Sequence, residues 1–168
     1  LAKAGIYVNP VRVTRLENTK KDVRPIGLWR QTSSNSLADI AAWEQDHASA
    51  GLLIDTGKSG LVIVDPDGPE GLANWLALDP PLPLGIVKTS RPDGGQHWYY
   101  RAHPDHVVGN DQSGKVAPGV DIRGLGGFVI APPTSDGKGV WEWIDGPDWT
   151  RDAIVPDVVV ERMTAKAA

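Results

Sequence analysis

The sequence predicts an α+β fold within one main domain. Helical patterns fall mainly in the first half of the chain, and five short apolar segments typical of strands follow in the second half. Helices and strands separated in this way favour packing on a mixed or antiparallel sheet. A length of 168 residues also suits one domain, which buries about two thirds of its unfolded surface. The predicted domain spans residues 1–155, and residues 156–168 are predicted to form a C-terminal tail or linker.

The first elements are two strands and a helix. Apolar residues predict short strands around 6–8 and 11–13. Ser36 precedes an apolar pattern with helical spacing, and Asp39 three residues later resembles the acidic member of a capping box. We therefore expect a helix that begins at Ser36 and ends near residues 48–51.

A hairpin and a second helix are predicted next. The apolar segments 52–54 and 61–64 flank the sequence Thr56-Gly57-Lys58-Ser59-Gly60, which is typical of a tight turn between paired strands. Pro69 suits the first turn of a helix over residues 70–78. The side chains that this helix is expected to bury are Leu72, Trp75 and Leu76.

The second half of the chain carries the remaining strands. Polar, glycine-containing residues 109–118 predict a mobile loop among them. The apolar run 158–160 predicts a terminal helix or the start of a linker. The five strands are predicted at 85–90, 97–101, 119–122, 127–131 and 139–144.

Composition limits the class of protein. Apolar content of 40% and charged content of 23% are ordinary for a soluble globular protein. The chain has no cysteine, which excludes disulfides and a thiolate zinc site. No apolar run approaches the roughly 18 residues of a membrane span, and no signal peptide is visible. We expect a cytoplasmic protein without membrane contact.

Charge is distributed unevenly along the chain. The net charge is −4, but residues 1–30 carry a net charge of +5 and residues 31–168 a net charge of −9. A basic arm beside an acidic body favours contact with a phosphate backbone. The alternative is a hairpin whose charged face is simply solvated.

Three acidic residues predict the chemistry. Asp65 and Asp67 follow the apolar strand 61–64, and side chains two residues apart on a strand point to the same side, roughly 6 to 7 Å apart. Such a pair can hold two divalent cations about 3.5 to 4 Å apart, with Asp121 as a third ligand from another strand. This pattern predicts a metal-dependent enzyme that acts on phosphates. Asp65-Pro66-Asp67-Gly68 is also a good turn sequence, so a purely structural role stays open.

A phosphate-binding loop of the nucleotide-hydrolase type is excluded. Gly57-Lys58-Ser59 would need a glycine five residues earlier, where the chain has Leu52. The motif also needs a following helix, whereas a strand pattern follows here.

His97 is the second candidate for phosphate chemistry. It follows Gly94 and Gly95, which let a backbone approach a ligand closely and present N–H groups to an anion. A histidine in this place can hydrogen-bond to a phosphate. The alternative is a structural histidine on an aromatic strand.

Four segments together resemble the primase–polymerase domain of the archaeo-eukaryotic primase superfamily, in the branch found in phage and plasmid replication proteins. The resemblance covers roughly residues 5–145. The segments that carry it are 56–67, 87–99 with its Gly-Gly-Gln-His, 118–123 with Gly-Val-Asp-Ile-Arg, and 127–134 with Gly-Phe-Val-Ile-Ala-Pro-Pro-Thr.

The resemblance implies a fold and a mechanism. The fold is an RRM-like catalytic sheet beside a smaller α/β subdomain. The reaction is a two-metal nucleotidyl transfer with Mg²⁺ or Mn²⁺, and the substrates are a DNA template with its primer and dNTPs or NTPs. A replicative helicase, fused or separate, is the implied partner.

The resemblance also assigns roles to individual residues. It implies metal binding and catalysis by Asp65, Asp67 and Asp121. The residues implied to bind the nucleotide are His97, Gly95, Lys88 and Arg123.

Two departures from the family pattern have structural consequences. Pro66 stands between the first two acids, where the family has an aliphatic residue, and predicts that Asp67 lies on a bend or an edge. The segment 89–95 carries one extra residue, which is expected to reposition His97 or to add Arg91 to the site.

Two other functions remain open at this point. One is a non-catalytic single-stranded-DNA-binding or replication-initiation module on a similar sheet. The other is a metal-dependent nuclease that uses the same carboxylates. The segment 94–97 separates them from a polymerase, because a polymerase needs to hold a triphosphate and a nuclease does not.

Overall fold

The computed structural model describes residues 1–17 and 20–166, and it confirms the α+β class. The strands are β1 (Val8–Arg15), β2 (Lys21–Pro25), β3 (Gly51–Asp55), β4 (Leu61–Pro66), β5 (Gly85–Lys88), β6 (Gln96–Arg101), β7 (Val120–Arg123), β8 (Phe128–Ala131) and β9 (Glu142–Asp145). The helices are α1 (Trp29–Thr32), α2 (Leu37–Asp46), α3 (Gly68–Leu76) and α4 (Asp157–Thr164), after a 3₁₀ turn at Ala2–Ala4.

The strands form two antiparallel sheets. The four-stranded sheet has the order β2-β1-β3-β8, and the five-stranded sheet has the order β7-β4-β6-β5-β9. The five strands predicted in the second half all form, but β8 joins the first sheet and the other four join the second. Chain order therefore does not decide sheet membership here.

The predicted hairpin of residues 52–64 is wrong. β3 pairs with β1 and β8, whereas β4 pairs with β6 and β7, so the two strands lie in different sheets. The Asp55 carboxylate accepts a hydrogen bond from the Lys58 backbone N–H (3.0 Å), and this folds the connection tightly. A tight turn between two apolar segments can therefore connect strands of two different sheets as well as the two strands of one hairpin.

The helices begin within two residues of their predicted starts, and α3 buries only part of the predicted set of side chains. The Ser36 hydroxyl accepts from the Asp39 N–H at 3.5 Å, as expected of an N-cap. α3 starts at Gly68, with Pro69 in its first turn, and ends at Leu76. Leu76 is 50% exposed, so its predicted burial is wrong. The predicted burial of Trp75 is confirmed; Gly71, four residues earlier, is buried on the same side of the helix, and Leu76 is rotated away from it.

α3 covers one face of the five-stranded sheet and leaves the other face to the site. The Trp75 ring makes edge contacts with Trp98 (6.1 Å between centroids) and Tyr100 (6.3 Å) on that covered face. Neighbouring residues on a strand point to opposite faces. Asp65 and His97, each next to a residue of the covered face, therefore point to the other side.

Segments of the C-terminal half of the chain also pack against the core. The predicted loop 109–118 is irregular, but Asp111 and Ile122 exchange two backbone hydrogen bonds (2.9 and 2.8 Å) and Val116 is fully buried. α4 contributes two buried valines to the core. The division at residue 155 stays a prediction, and residues 167 and 168 lie outside the described part. Within the described residues, no helix has the length and apolar character to cross a membrane.

Candidate active site

A cleft of about 670 Å³ lies between the face of the five-stranded sheet opposite α3 and the β1–β2 end of the other sheet. It contains all three acids predicted to bind metal, together with His97. The charged lining consists of Asp65, Asp67, Asp93, Asp121, Arg15, Lys20, Lys21, Arg91 and Arg123, and Val23, Thr89, Pro92 and His97 complete it.

The sheet register brings two of the acids together. Asp65 on β4 is paired directly with Asp121 on β7, although 56 positions separate them in the sequence. Directly opposed residues of antiparallel strands have Cβ atoms about 4.5 to 5.5 Å apart and share one face of the sheet. The backbone of two neighbouring strands thus fixes both carboxylates at one point of the cleft.

Asp67 follows the last residue of β4, Pro66, and is the N-cap residue of α3. Its backbone is extended (φ −83°, ψ 107°), and its N–H donates to the carbonyl of Gly119 at 2.8 Å, on the β7 side. Successive N–H groups point to opposite edges of a strand, so an N–H at Pro66 would point toward β6. The pairing of β6 with β4 ends at Val64 and Trp98, before that position. The proline therefore removes no ladder hydrogen bond. Asp67 lies just past the end of β4, where the chain bends into α3, as the prediction of a position outside the regular strand expected.

His97 lies beside Asp65 at the base of the cleft. Its Nε2 is 3.6 Å from Asp65 Oδ1, which is too long for a hydrogen bond, and the side chain is 6% exposed. Burial lowers the pKa of His97 to about 3, and the positive charges of Lys21 and Arg123 act in the same direction. The imidazole is therefore neutral at physiological pH. Its Nδ1 is buried and has no hydrogen-bond partner within the described part of the chain.

The surroundings of two carboxyl groups in the cleft disfavour their ionised form. Burial, followed by the nearby charge of Asp67, raises the pKa of Asp65 to about 6. Burial, followed by the charge of Asp65, raises the pKa of Asp121 to about 6. Desolvation and mutual repulsion both disfavour ionisation. A cation placed among these oxygens would relieve both effects.

Arginines partly neutralise the other carboxylate oxygens. Arg91 Nη1 donates to Asp67 Oδ1 at 2.5 Å, and Arg123 Nη2 donates to Asp121 Oδ2 at 3.2 Å. Arg91 comes from the segment with the extra residue, and its predicted addition to the site fits this contact. Asp93 binds the same guanidinium through two hydrogen bonds and was not expected from the sequence.

The basic N-terminal region contributes to the cleft through the end of the β1–β2 pair. Lys20 and Lys21 line it, and Arg15 forms an ion pair with the fully buried Asp136 (2.7 Å) while donating to Ser90. The excess of cations before residue 31 was the only feature of the sequence that predicted a basic side of the cleft. Which of these cations face the acids could not be predicted from the sequence.

The chemical nature of the acids fits a hard divalent cation, but their present arrangement is not a finished metal site. Among residues 1–17 and 20–166, no group of three acidic or histidine side chains is placed to hold an ion. Asp67 and Asp121 turn an oxygen to an arginine instead. Carboxylate oxygens are the ligands that Mg²⁺ and Mn²⁺ favour. Burial and mutual repulsion raise the pKa values of Asp65 and Asp121, and both effects would be smaller beside a bound cation.

Two predicted nucleotide-binding residues do not line the cleft. Lys88 is exposed and pairs with Gln96, the neighbour of His97, so it lies on the opposite face of the sheet. Gly95 supports the Arg91 loop, because its carbonyl accepts from the Thr89 N–H at 2.9 Å. Neither position contributes a side chain to the site.

A comparison with protein families shows which family the chain belongs to. The model of the family described as bifunctional DNA primase/polymerase, N-terminal (Prim-Pol) matches residues 1–158, nearly the whole chain. The chain belongs to the Prim-Pol family. Membership confirms the resemblance drawn from the four segments and supports a primase/polymerase, nucleotidyl-transferring role in replication. No curated protein matches this Prim-Pol chain.

Proposed function

We propose that this Prim-Pol domain extends DNA primers on a template with Mg²⁺ or Mn²⁺ held by Asp65, Asp67 and Asp121. The observation that carries the proposal is the pairing of Asp65 with Asp121 across β4 and β7, in a cleft walled by cations. A binding module has no need of two ionisable acids kept against their desolvation cost. The resemblance to phage and plasmid replication proteins favours a role in DNA replication in the cytoplasm, together with a replicative helicase.

The carboxylates supply oxygen ligands to the metal, and Asp65 interacts with both of the others. It is paired with Asp121 in the register; burial and then the charge of Asp65 raise the pKa of Asp121, and burial and then the charge of Asp67 raise the pKa of Asp65. Two divalent ions, when bound, would activate the primer 3′-hydroxyl and carry the charge that develops on the leaving pyrophosphate. For Asp67 and Asp121 to act as ligands, Arg91 and Arg123 must give up the oxygens that they now engage.

The reaction forms one bond and breaks one bond at phosphorus. The primer 3′-oxygen bonds to the α-phosphorus of the nucleotide, the bond from that phosphorus to the bridging oxygen of the β-phosphate breaks, and the hydroxyl proton passes to water. Pyrophosphate leaves with the electron pair of the broken bond. Catalysis of such a displacement consists mainly of positioning and charge stabilisation, which is what the charged walls of this cleft can provide.

His97 and the cations are suited to the triphosphate. A neutral imidazole with a pKa near 3 can donate a hydrogen bond to a phosphate without carrying a buried charge. Arg123 and Lys21 bring positive charge to the same cleft. Lys20 and Lys21, at the end of the β1–β2 pair, are placed to contact the phosphate backbone of the primer or template.

A primer-extension assay tests the proposal. A labelled primer on a template is incubated with dNTPs and Mg²⁺ or Mn²⁺, using wild type, Asp65→Asn and Asp121→Asn. Both variants should lose more than the roughly 10- to 100-fold that removal of an outer-shell partner of a metal costs. Asp46→Asn, which removes one exposed acid from the end of α2, is the matched control and should extend normally.

The rival functions give different products in the same assay. A nuclease would shorten the primer, and a binding module would retain DNA without changing its length. Extension that persists in Asp65→Asn would show that the carboxylate site is assigned wrongly.

A further inference from the structure

Arg91 occupies a central position among the acids of the cleft. One edge of its guanidinium, Nε and Nη2, donates to the two oxygens of Asp93 at 2.8 and 2.7 Å. The remaining nitrogen, Nη1, donates to Asp67 Oδ1 at 2.5 Å. The Asp93 contact is a two-bond fork that fixes the plane of the group, whereas the Asp67 contact is a single bond.

The loop around Arg91 is built to hold it in this place. The Thr89 N–H donates to the Gly95 carbonyl (2.9 Å), and the Gly94 N–H donates to the Arg91 carbonyl (3.2 Å). A Cβ at Gly95 would lie 2.7 Å from Thr89 Oγ1 and 2.9 Å from Arg91 Cδ, so only glycine fits beneath the arginine. Gly68, with φ +64°, likewise leaves room for Asp93.

The Asp67 contact conflicts with the metal site proposed above. An arginine against Asp67 places a positive charge where a divalent ion would be bound, and the two cations would repel each other. The contact is also easy to exchange, because Asp67 is 44% exposed and Arg91 is 32% exposed. Exposed ion pairs of this kind contribute only about 0.2 to 1 kcal/mol.

We propose that Arg91 is a two-position switch that binds Asp67 in the metal-free domain and a phosphate of the incoming nucleotide when the metal binds. The inference rests on the proposed function and assigns to this site an order of assembly. Asp93 keeps the guanidinium in plane in both positions, so only the Nη1 contact changes partner. Metal alone must displace Arg91, whereas metal with a triphosphate offers the arginine a new anionic partner. Metal and nucleotide therefore bind with positive coupling, each raising the affinity of the other by the same factor.

The test measures binding, separately from catalysis. Mn²⁺ affinity is determined by electron paramagnetic resonance, from the signal of free Mn²⁺, with and without a non-hydrolysable dNTP analogue. Arg91→Gln should bind Mn²⁺ about 2- to 5-fold more tightly than wild type in the absence of nucleotide, because Asp67 is released. The same variant should bind the nucleotide analogue with Mn²⁺ about 10-fold more weakly, because a charge-assisted hydrogen bond is lost.

Two further variants separate the switch from simple charge effects. Arg24→Gln removes one cation from an exposed position paired with Asp22, outside the cleft lining, and should leave both affinities unchanged. Arg91→Lys keeps the charge but cannot bridge Asp67 and Asp93 with a planar fork, and should fall between wild type and Arg91→Gln.

Each result has a defined consequence. If Arg91→Gln binds Mn²⁺ no more tightly than wild type, the switch is refuted, while primer extension by the wild type would leave the proposed function standing. Tighter Mn²⁺ binding with unchanged nucleotide affinity would refute the phosphate-binding position. A wild type that binds no Mn²⁺, with or without nucleotide, would refute both the switch and the proposed function.

Discussion

Replacing Asp65 with asparagine should stabilise the metal-free protein at neutral pH. The folded protein raises the pKa of this carboxyl from 3.8 to about 6, chiefly through burial, and its side chain is only 17% exposed. At about 1.4 kcal/mol per pKa unit, the ionised carboxylate weakens the fold by roughly 3 kcal/mol at pH 7. Asparagine has a similar shape and no charge, so this destabilisation disappears in Asp65→Asn.

The pH dependence of this effect has a definite sign. A carboxyl whose pKa is higher in the folded state favours folding below its unfolded pKa of 3.8, and that advantage is lost as the pH rises through about 6. The gain in unfolding free energy for Asp65→Asn should be about 3 kcal/mol at pH 7, about 1.5 at pH 5 and about 0.5 at pH 4. Any constant cost of burying the amide shifts all three values equally and leaves the slope unchanged.

Urea denaturation in the presence of a chelator measures these differences at each pH. For a domain of this size, the pH 7 value corresponds to a rise of roughly 6 to 12 °C in Tm. Asp46→Asn, on the exposed end of α2, should change stability by less than about 0.5 kcal/mol at every pH. The reasoning is refuted if the Asp65→Asn difference is the same at pH 5 and pH 7.

Metal should cancel most of this difference in stability. Mn²⁺ at 100 times its Kd should stabilise wild type by about 2.7 kcal/mol, and it should add much less to Asp65→Asn, which lacks the central ligand. Equal stabilisation of both proteins would place the ion elsewhere. The variant is therefore expected to be the more stable protein without metal and the inactive one with it.

Three further predictions concern the frame and the nucleotide. Gly71→Ala should lower the unfolding free energy by roughly 1 to 3 kcal/mol, because its methyl group would overlap a backbone carbonyl of the loop before β7. Gly109→Ala is the control and should be nearly neutral, because its methyl group would meet no atom within 4 Å. Chemical denaturation compares the two variants with wild type. Arg15→Met should destabilise by roughly 3 to 5 kcal/mol in the same assay, because it leaves Asp136 buried without its ion-pair partner, and a loss below about 1 kcal/mol would contradict that account. His97→Ala should weaken binding of a non-hydrolysable dNTP about 10-fold in calorimetry while the protein stays folded, and unchanged affinity would remove His97 from the nucleotide site.

Much of the local structure could be read from the sequence. Ser36 caps α2 and Pro69 lies in the first turn of α3, because both effects act within one helical turn. Five second-half strands formed at the expected places, because apolar segments bounded by glycine and proline identify strands locally. The acids, the glycine-flanked His97 and their order along the chain also sufficed to identify the Prim-Pol family.

Pairing between distant segments could not be read in the same way. The apolar runs before and after the turn at 56–60 look like one hairpin, yet β3 and β4 belong to different sheets. Lys88 resembled a substrate-binding residue, but the register of β5 with β6 turns it to the face opposite His97. A shift of one residue in strand register exchanges the two faces, and nothing local in the sequence fixes that register.

The sequence by itself determined the family, most of the secondary structure and the side chains of the candidate site: carboxylates, a histidine and an excess of N-terminal cations. Only the tertiary structure decided that Asp121 stands opposite Asp65, that Pro66 removes no ladder hydrogen bond, and that Arg91 engages Asp67. The physical reason is the distance along the chain over which each interaction acts. Caps, turns and strand patterns depend on neighbours within a few residues, whereas the electrostatics of the cleft depend on segments that meet only when the two sheets have formed.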